Sequence, residues 1–164
     1  MTARSFMLWG TSEAESTPLV LTAGALTGRF DPQTAGLRDL RWHGVPVVLA
    51  VYAAVRDANW GTVPVTVHGL QVTRTGSAVV VRFVAECRQN EVHFRWHGVL
   101  DLEATGRLQW TFDGQALSGF DRNRIGFCVL HGAAACAGQP CQVRHTDGQT
   151  TTGLDTLARI ARAL

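Results

Sequence analysis

From Leu19 onward, apolar and polar residues alternate with a period of two, the signature of strands with one buried face. The clearest run is Glu91–Glu103. Val92, Phe94, Trp96, Gly98, Leu100 and Leu102 alternate there with Glu91, His93, Arg95, His97, Val99, Asp101 and Glu103. Nearly all the charge falls on one face, as in a half-buried antiparallel strand. Thr105-Gly106 supplies a turn. Beyond it Leu108, Trp110 and Phe112 point in, while Arg107, Gln109, Thr111 and Asp113 point out, so the two segments predict a hairpin.

Upstream, Val79, Val81, Phe83, Ala85 and Cys87 share a face, and Gln89-Asn90 turns this strand into the next. Val65–Thr75 also reads as a strand, but its apolar phase slips between Val67 and Leu70, which predicts a β-bulge at Gly69. Val45–Val55 is nearly all apolar and predicts a strand buried on both faces. Shorter strands are predicted at Leu19–Ala23, Ala25–Asp31, Leu37–Trp42, Ile125–Leu130 and Gln142–His145. Turn signals stand at Asp31-Pro32, His43-Gly44, Gly76 and Asp147-Gly148. The fold class is therefore all-β: an antiparallel β-sandwich-like domain of about ten strands with a short C-terminal helix. The helix is expected because Leu154, Leu157, Ala158, Ala161 and Leu164 fall on one helical face, with Thr151 or Thr152 as cap. Three parts follow: a loosely ordered lead-in over 1–18, the β domain over 19–152 and a helical tail over 153–164.

The chain's 164 residues are 46% hydrophobic and 17% charged, with five Trp and seven Phe, which excludes disorder and suits one domain. Net charge is +2, too small to imply a nucleic-acid partner. Every one of the 15 basic residues is Arg, so lysine-dependent phosphate binding and Schiff-base chemistry are excluded. The apolar run Phe6–Trp9 is shorter than the roughly 7–15 residues of a signal-peptide core. No run approaches the roughly 18 apolar residues of a membrane span. A cytoplasmic protein is expected, with Cys87, Cys128, Cys136 and Cys141 as thiols.

Four features invite a chemical reading. Cys128, His131, Cys136, Cys141 and His145 are zinc-ligand types, but their cysteines are spaced without the tight pairs of structural sites, so small thiols buried in strands are expected and no metal. Ser118 lies in Gln-Ala-Leu-Ser-Gly, which is not a nucleophile elbow. Arg-Trp-His-Gly-Val occurs twice, at 41–45 and 95–99, with no similarity around it, so coincidence is expected. The fourth is a pair of polar–aromatic stretches, Val55–Thr62 and Phe120–Phe127. They offer Arg56, Asp57, Asn59 and Trp60 in one, and Arg122, Asn123 and Arg124 in the other. Arg can fork a carboxylate, Asp and Asn can take hydroxyls, and Trp can stack on a ring face, as a sugar-acid ligand requires. The alternative is that these arginines pair with their adjacent aspartates, tying loops together, or contact a neighbouring domain.

Tyr52-Ala-Ala-Val-Arg-Asp-Ala-Asn-Trp-Gly-Thr-Val-Pro64, Phe94-Arg-Trp-His-Gly98, Asn123-Arg-Ile-Gly-Phe-Cys-Val-Leu-His131 and Cys136-Ala-Gly-Gln-Pro-Cys-Gln-Val-Arg-His-Thr-Asp-Gly148 carry a resemblance. Together, over roughly residues 19–150, they resemble the N-terminal β domain of the D-apionate lactonase family. The resemblance implies a bacterial enzyme of branched-sugar catabolism that opens D-apionolactone to D-apionate. It also implies a catalytic barrel after the β domain. Two departures stand out. His131-Gly132 replaces the expected His-Pro, and an Ala/Arg/Leu-rich tail follows where the family runs on toward the barrel. Such a tail is what a frameshift or early stop leaves. The resemblance assigns no catalytic residue to this chain. The expected function is an accessory β domain of a sugar-acid lactone hydrolase without its barrel, inactive alone, with no cofactor and no nucleic-acid or membrane partner. A free-standing sugar- or protein-binding β module is the alternative.

Overall fold

The period-two pattern builds strands that pair in sequence order until one crossing. A computed structural model describes residues 16–154, with Leu154 in its backbone only. The strands are β1 (Leu19–Ala23), β2 (Leu26–Asp31), β3 (Gly36–Trp42), β4 (Val45–Asp57), β5 (Val65–Thr75), β6 (Ala78–Gln89), β7 (Val92–Leu102), β8 (Leu108–Ala116), β9 (Arg122–Leu130), β10 (Pro140–Arg144) and β11 (Thr150–Leu154). One four-residue helix, α1 (Ala133–Cys136), precedes β10.

All pairings are antiparallel. One sheet has the order β1-β2-β3-β4-β9, a second is the meander β5-β6-β7-β8, and β10-β11 form a separate hairpin. The chain leaves the first sheet after β4, builds the second and returns to lay β9 beside β4. Phe30 and Phe127 from the first sheet meet Phe83, Trp110 and Phe112 from the second. Ring centroids lie 5.3 Å apart for Phe30–Phe83, 5.0 Å for Trp110–Phe127 and 5.5 Å for Phe112–Phe127. These aromatics join the two inner faces into one core, the arrangement of a β-sandwich.

The β7 pattern holds at every expected position: Val92, Phe94, Trp96, Gly98, Leu100 and Leu102 are buried. Leu108, Trp110 and Phe112 turn the same way but are half-buried, because β8 is a sheet edge. The β5–β6 register shifts between His68 and Gln71, and Gly69 there adopts φ +59°, so the slip in apolar phase is a bulge. The twin pentapeptides have unrelated conformations. At 41–45 the motif bends through a two-residue hairpin, with His43 at φ 49° and Gly44 at φ 79°. At 95–99 it runs straight through β7, where Gly98 leaves room for the Phe83 ring.

Three expectations need correction. β4 is not buried on both faces: Val45, Val47 and Leu49 are exposed, while only Ala54 and Val55 are fully buried. β9 flanks β4 only from Ala50 to Asp57, so the first half of β4 has β3 on one side alone. The thiols expected in buried strands are mostly not buried: Cys87 is, Cys128 and Cys136 are intermediate, and Cys141 is exposed. Finally, Gly153 and Leu154, expected to open a helix, pair with Cys141 and Pro140 in β11. The rest of the expected helical tail, 155–164, and most of the lead-in, 1–15, lie outside the described residues.

Candidate functional site: the crossover corner

The two polar–aromatic stretches sit at the two places where the chain crosses between sheets, after β4 and before β9. Because β9 returns beside β4, topology brings them together. Arg56 lies opposite Arg124 and Asp57 opposite Arg122 in the ladder, with Val55 opposite Ile125 just inside. The candidate residues thus form one corner, which the sequence alone did not place.

Within the corner the first stretch is wired to itself. Asp57 Oδ1 accepts backbone N–H groups from Asn59 (2.9 Å) and Gly61 (2.7 Å). The Asp57 and Gly61 backbones close the turn at 3.0 Å. Arg56 Nη1 donates to the Trp60 carbonyl at 3.4 Å and to the Thr62 hydroxyl. Arg56 therefore does not pair with its adjacent aspartate, as the sequence suggested it could. It laces both sides of the loop, and Thr62, an isolated bridge partner of Arg56, is the residue the sequence reading passed over. Trp60 is held at φ 66°, a conformation costly for a bulky residue, with its side chain 60% exposed.

The second stretch is anchored differently. Ser118 donates to the Glu91 carbonyl at 2.6 Å and accepts the His93 backbone N–H at 3.1 Å. Its hydroxyl is thus a tie between the crossover and the β6–β7 turn. Arg122, Asn123 and Arg124 are exposed, and among the described residues neither Arg122 nor Arg124 forms an ion pair.

Beside the corner lies an open groove of about 420 Å³. Thr62, whose hydroxyl Arg56 holds, stands on its rim, and Leu37, Ala50, Val51, Tyr52, Val63 and Leu130 give it an apolar floor. Trp60, Arg122 and Arg124 are not in its lining.

Elsewhere, Glu86 on the outer face of the second sheet receives His93 Nε2 at 2.5 Å, with His68 at 3.8 Å and Arg95 at 3.9 Å. The His93 hydrogen bond foremost, and the charges of Arg95, His93 and His68, hold its carboxyl below the usual value against some desolvation. Burial pushes the Asp31 carboxyl up, but hydrogen bonds from Gln33, Ser16 and Thr34 together outweigh it and leave that carboxyl lowered too. Burial pushes the Cys87 thiol up to about 11, against a smaller opposing effect of the Trp96 indole. The residues Cys128, His131, Cys136, Cys141 and His145 are spread over β9, α1, β10 and the last turn. Among the described residues no three His, Cys, Asp or Glu side chains gather in a metal-binding group.

Comparison with known proteins supplies the relationship. The family profile of the D-apionate lactonase N-terminal domain matches residues 6–156. A D-apionate lactonase of Brucella anthropi is 35% identical over 144 residues, 87% of this chain but 23% of that relative. The chain therefore spans less than a quarter of the relative's length. No solved structure matches it. With the family profile covering nearly the whole chain, this protein belongs to the D-apionate lactonase N-terminal domain family.

Proposed function

We propose that this chain is an accessory, non-catalytic domain of a sugar-acid lactone hydrolase, with the chemistry carried by the part of the enzyme that follows it. Opening a lactone needs an activated water or nucleophile near the carbonyl and donors for the oxyanion. The observation that carries the reading is coverage: the matching profile is that of an N-terminal domain, and the matched segment is 23% of the relative; the groups that depart from ordinary acidity agree with it. Asp31 and Glu86 are lowered and Cys87 is raised to about 11. A lowered carboxylate is a weaker base, and a thiol at that value is no nucleophile near neutrality, so each moves away from catalytic use. Arg56 and Asp57, the most conspicuous polar pair, are engaged in holding their own loop.

The substrate class this reading gives the whole enzyme is a lactone of D-apionate type, which the relative's name supports. A cytoplasmic setting fits four free cysteines. No helix among the described residues is long and apolar enough to cross a membrane. The outer sheet face mixes Glu86 and Asp113 with Arg95 and His93, which argues against a nucleic-acid partner. The test is an assay of the 164-residue chain against D-apionolactone and simpler aldonolactones, with no turnover expected. Turnover abolished by Arg56→Ala or Arg124→Ala would falsify the accessory reading and put an active site on the corner.

A second reading, a sugar-binding module, is favoured by one observation. Trp60 is exposed in a strained conformation on the loop that Arg56 holds, and among the described residues Arg56 forms no ion pair. Calorimetric titration with aldonic acids checks it. Binding lost in Trp60→Ala supports this reading, and no binding at millimolar ligand removes it.

A further inference from the structure

We infer that the C-terminal part of a D-apionate lactonase docks on the apolar end of the first sheet, where β4 runs past β9, and covers the β10–β11 hairpin that follows β9 in the chain. This rests on the accessory-domain reading and names the contact that reading requires.

Three observations converge. Val47 (45% exposed) and Leu49 (49%) stand on the stretch of β4 that runs past the end of β9, where the exposed Leu130 (47%) pairs with Ala50. Ala50, Val51 and Leu130 also line the groove, which brings its apolar lining to this end of the sheet. Exposed apolar surface of this kind marks interaction sites.

The second observation is the hairpin. All of β10 and Thr150–Gly153 are exposed, including Val143 at 48%. A two-stranded hairpin alone is marginal in water, and the four residues of α1 are too few for a stable helix. From His131 to Gly153 the chain is folded yet buries almost nothing, although the family profile includes this segment. Its pairing therefore calls for a partner surface.

The third is continuity. This domain is N-terminal in its family, and more than three quarters of the Brucella anthropi relative lies outside the matched segment. The hairpin follows β9 in the chain, its first strand beginning at Pro140, ten residues after Leu130. The partner surface is accordingly apolar.

The test compares hydrogen exchange in this 164-residue chain with that in the whole Brucella anthropi enzyme, alongside sedimentation velocity of this chain. The expected result is a monomer whose β10 and β11 amides exchange at least about 100-fold faster than those of the matching hairpin in the whole enzyme. Leu49→Arg with Leu130→Arg should leave the urea midpoint of this chain unchanged, because neither side chain belongs to its own core. Equal exchange in the two hairpins overturns the proposal. So does a dimer of this chain with the hairpin protected, which assigns the face to a second copy. Lactone hydrolysis by this chain alone would strike the accessory reading instead and leaves the exchange comparison standing on its own.

Discussion

Gly98→Ala should be among the most damaging single-methyl additions in this protein, and the reason is one ring. A Cβ at position 98 would stand 2.7 Å from two carbons of Phe83 and closer still to a third. Ordinary contact needs about 3.5 Å or more, so the ring must move by roughly an ångström. It has nowhere to go. Phe83 is 3% exposed and packs against Phe30 at 5.3 Å and Trp96 at 5.0 Å between centroids. Overpacking a filled core costs about 1–3 kcal/mol. Disturbing two aromatic pairs adds about 0.5–1.5 kcal/mol each. We expect a loss of about 3 kcal/mol, which at a urea m-value of about 2 kcal/mol/M lowers the midpoint by roughly 1–2 M.

Two controls make the cause specific. In a Phe83→Leu background the ring is gone, and Gly98→Ala should be neutral or better, because glycine inside a strand forfeits about 0.5–1 kcal/mol relative to alanine. Gly44→Ala, in the other copy of the pentapeptide, meets nothing within 4 Å but sits at φ 79°. It should cost about 1–2 kcal/mol by backbone strain, equally with or without Phe83→Leu. A Gly98→Ala midpoint within about 0.2 M of the unsubstituted protein would refute the reasoning, as would an undiminished cost in Phe83→Leu.

Asp57→Ala removes an acceptor from two backbone N–H groups and should cost about 1–2 kcal/mol, with faster amide exchange at Asn59 and Gly61. Unchanged exchange there would mean that Arg56 alone holds the loop. Glu86 has its folded carboxyl pKa lowered, so its contribution to stability is complete above the ordinary glutamate value of about 4.3 and disappears as pH falls through the lowered one. Glu86→Gln should flatten the acid side of a midpoint-against-pH curve, and an unaltered slope contradicts the assignment. A thiol reagent near neutral pH should label Cys141 in the folded protein and Cys87 only after unfolding. Labelling of both at the same rate would show that the core opens around Cys87.

The second sheet was nearly all legible. Its strands run 9–12 residues, each turns one apolar face inward, and within their sheet β5–β8 pair only with sequence neighbours. Local alternation and local turns then suffice, and even the bulge at Gly69 shows in the phase of the pattern. The corner was half legible. Its residues stood out by type, but that they meet depends on β9 crossing back to β4, a contact between residues about 70 positions apart that no local pattern carries. Nor does residue type reveal that Arg56 bonds forward to Trp60 and Thr62 in place of its neighbour Asp57.

The strand whose burial differs from its pattern is the most instructive. An all-apolar segment such as Val45–Val55 is the pattern of a strand covered on both sides. In this chain the cover is present over Ala54 and Val55 and absent over Val45, Val47 and Leu49. The pattern reflects what a strand meets in the assembly it was selected for, whereas the structure displays what this domain alone supplies. Where the two disagree, the missing contact belongs to something outside the domain. The disagreement is not scattered. It falls on the first half of β4, next to the exposed end of β9, with the unburied hairpin following in the chain. The unfulfilled burial pattern and the exposed apolar side chains thus coincide, and the paired strands that follow β9 in the chain have no core of their own. A solvent-facing role would have needed alternation with polar residues at 45, 47 and 49, as β7 shows at 93, 95 and 97. Its absence in β4 is the trace that the docking partner leaves in the sequence of this domain.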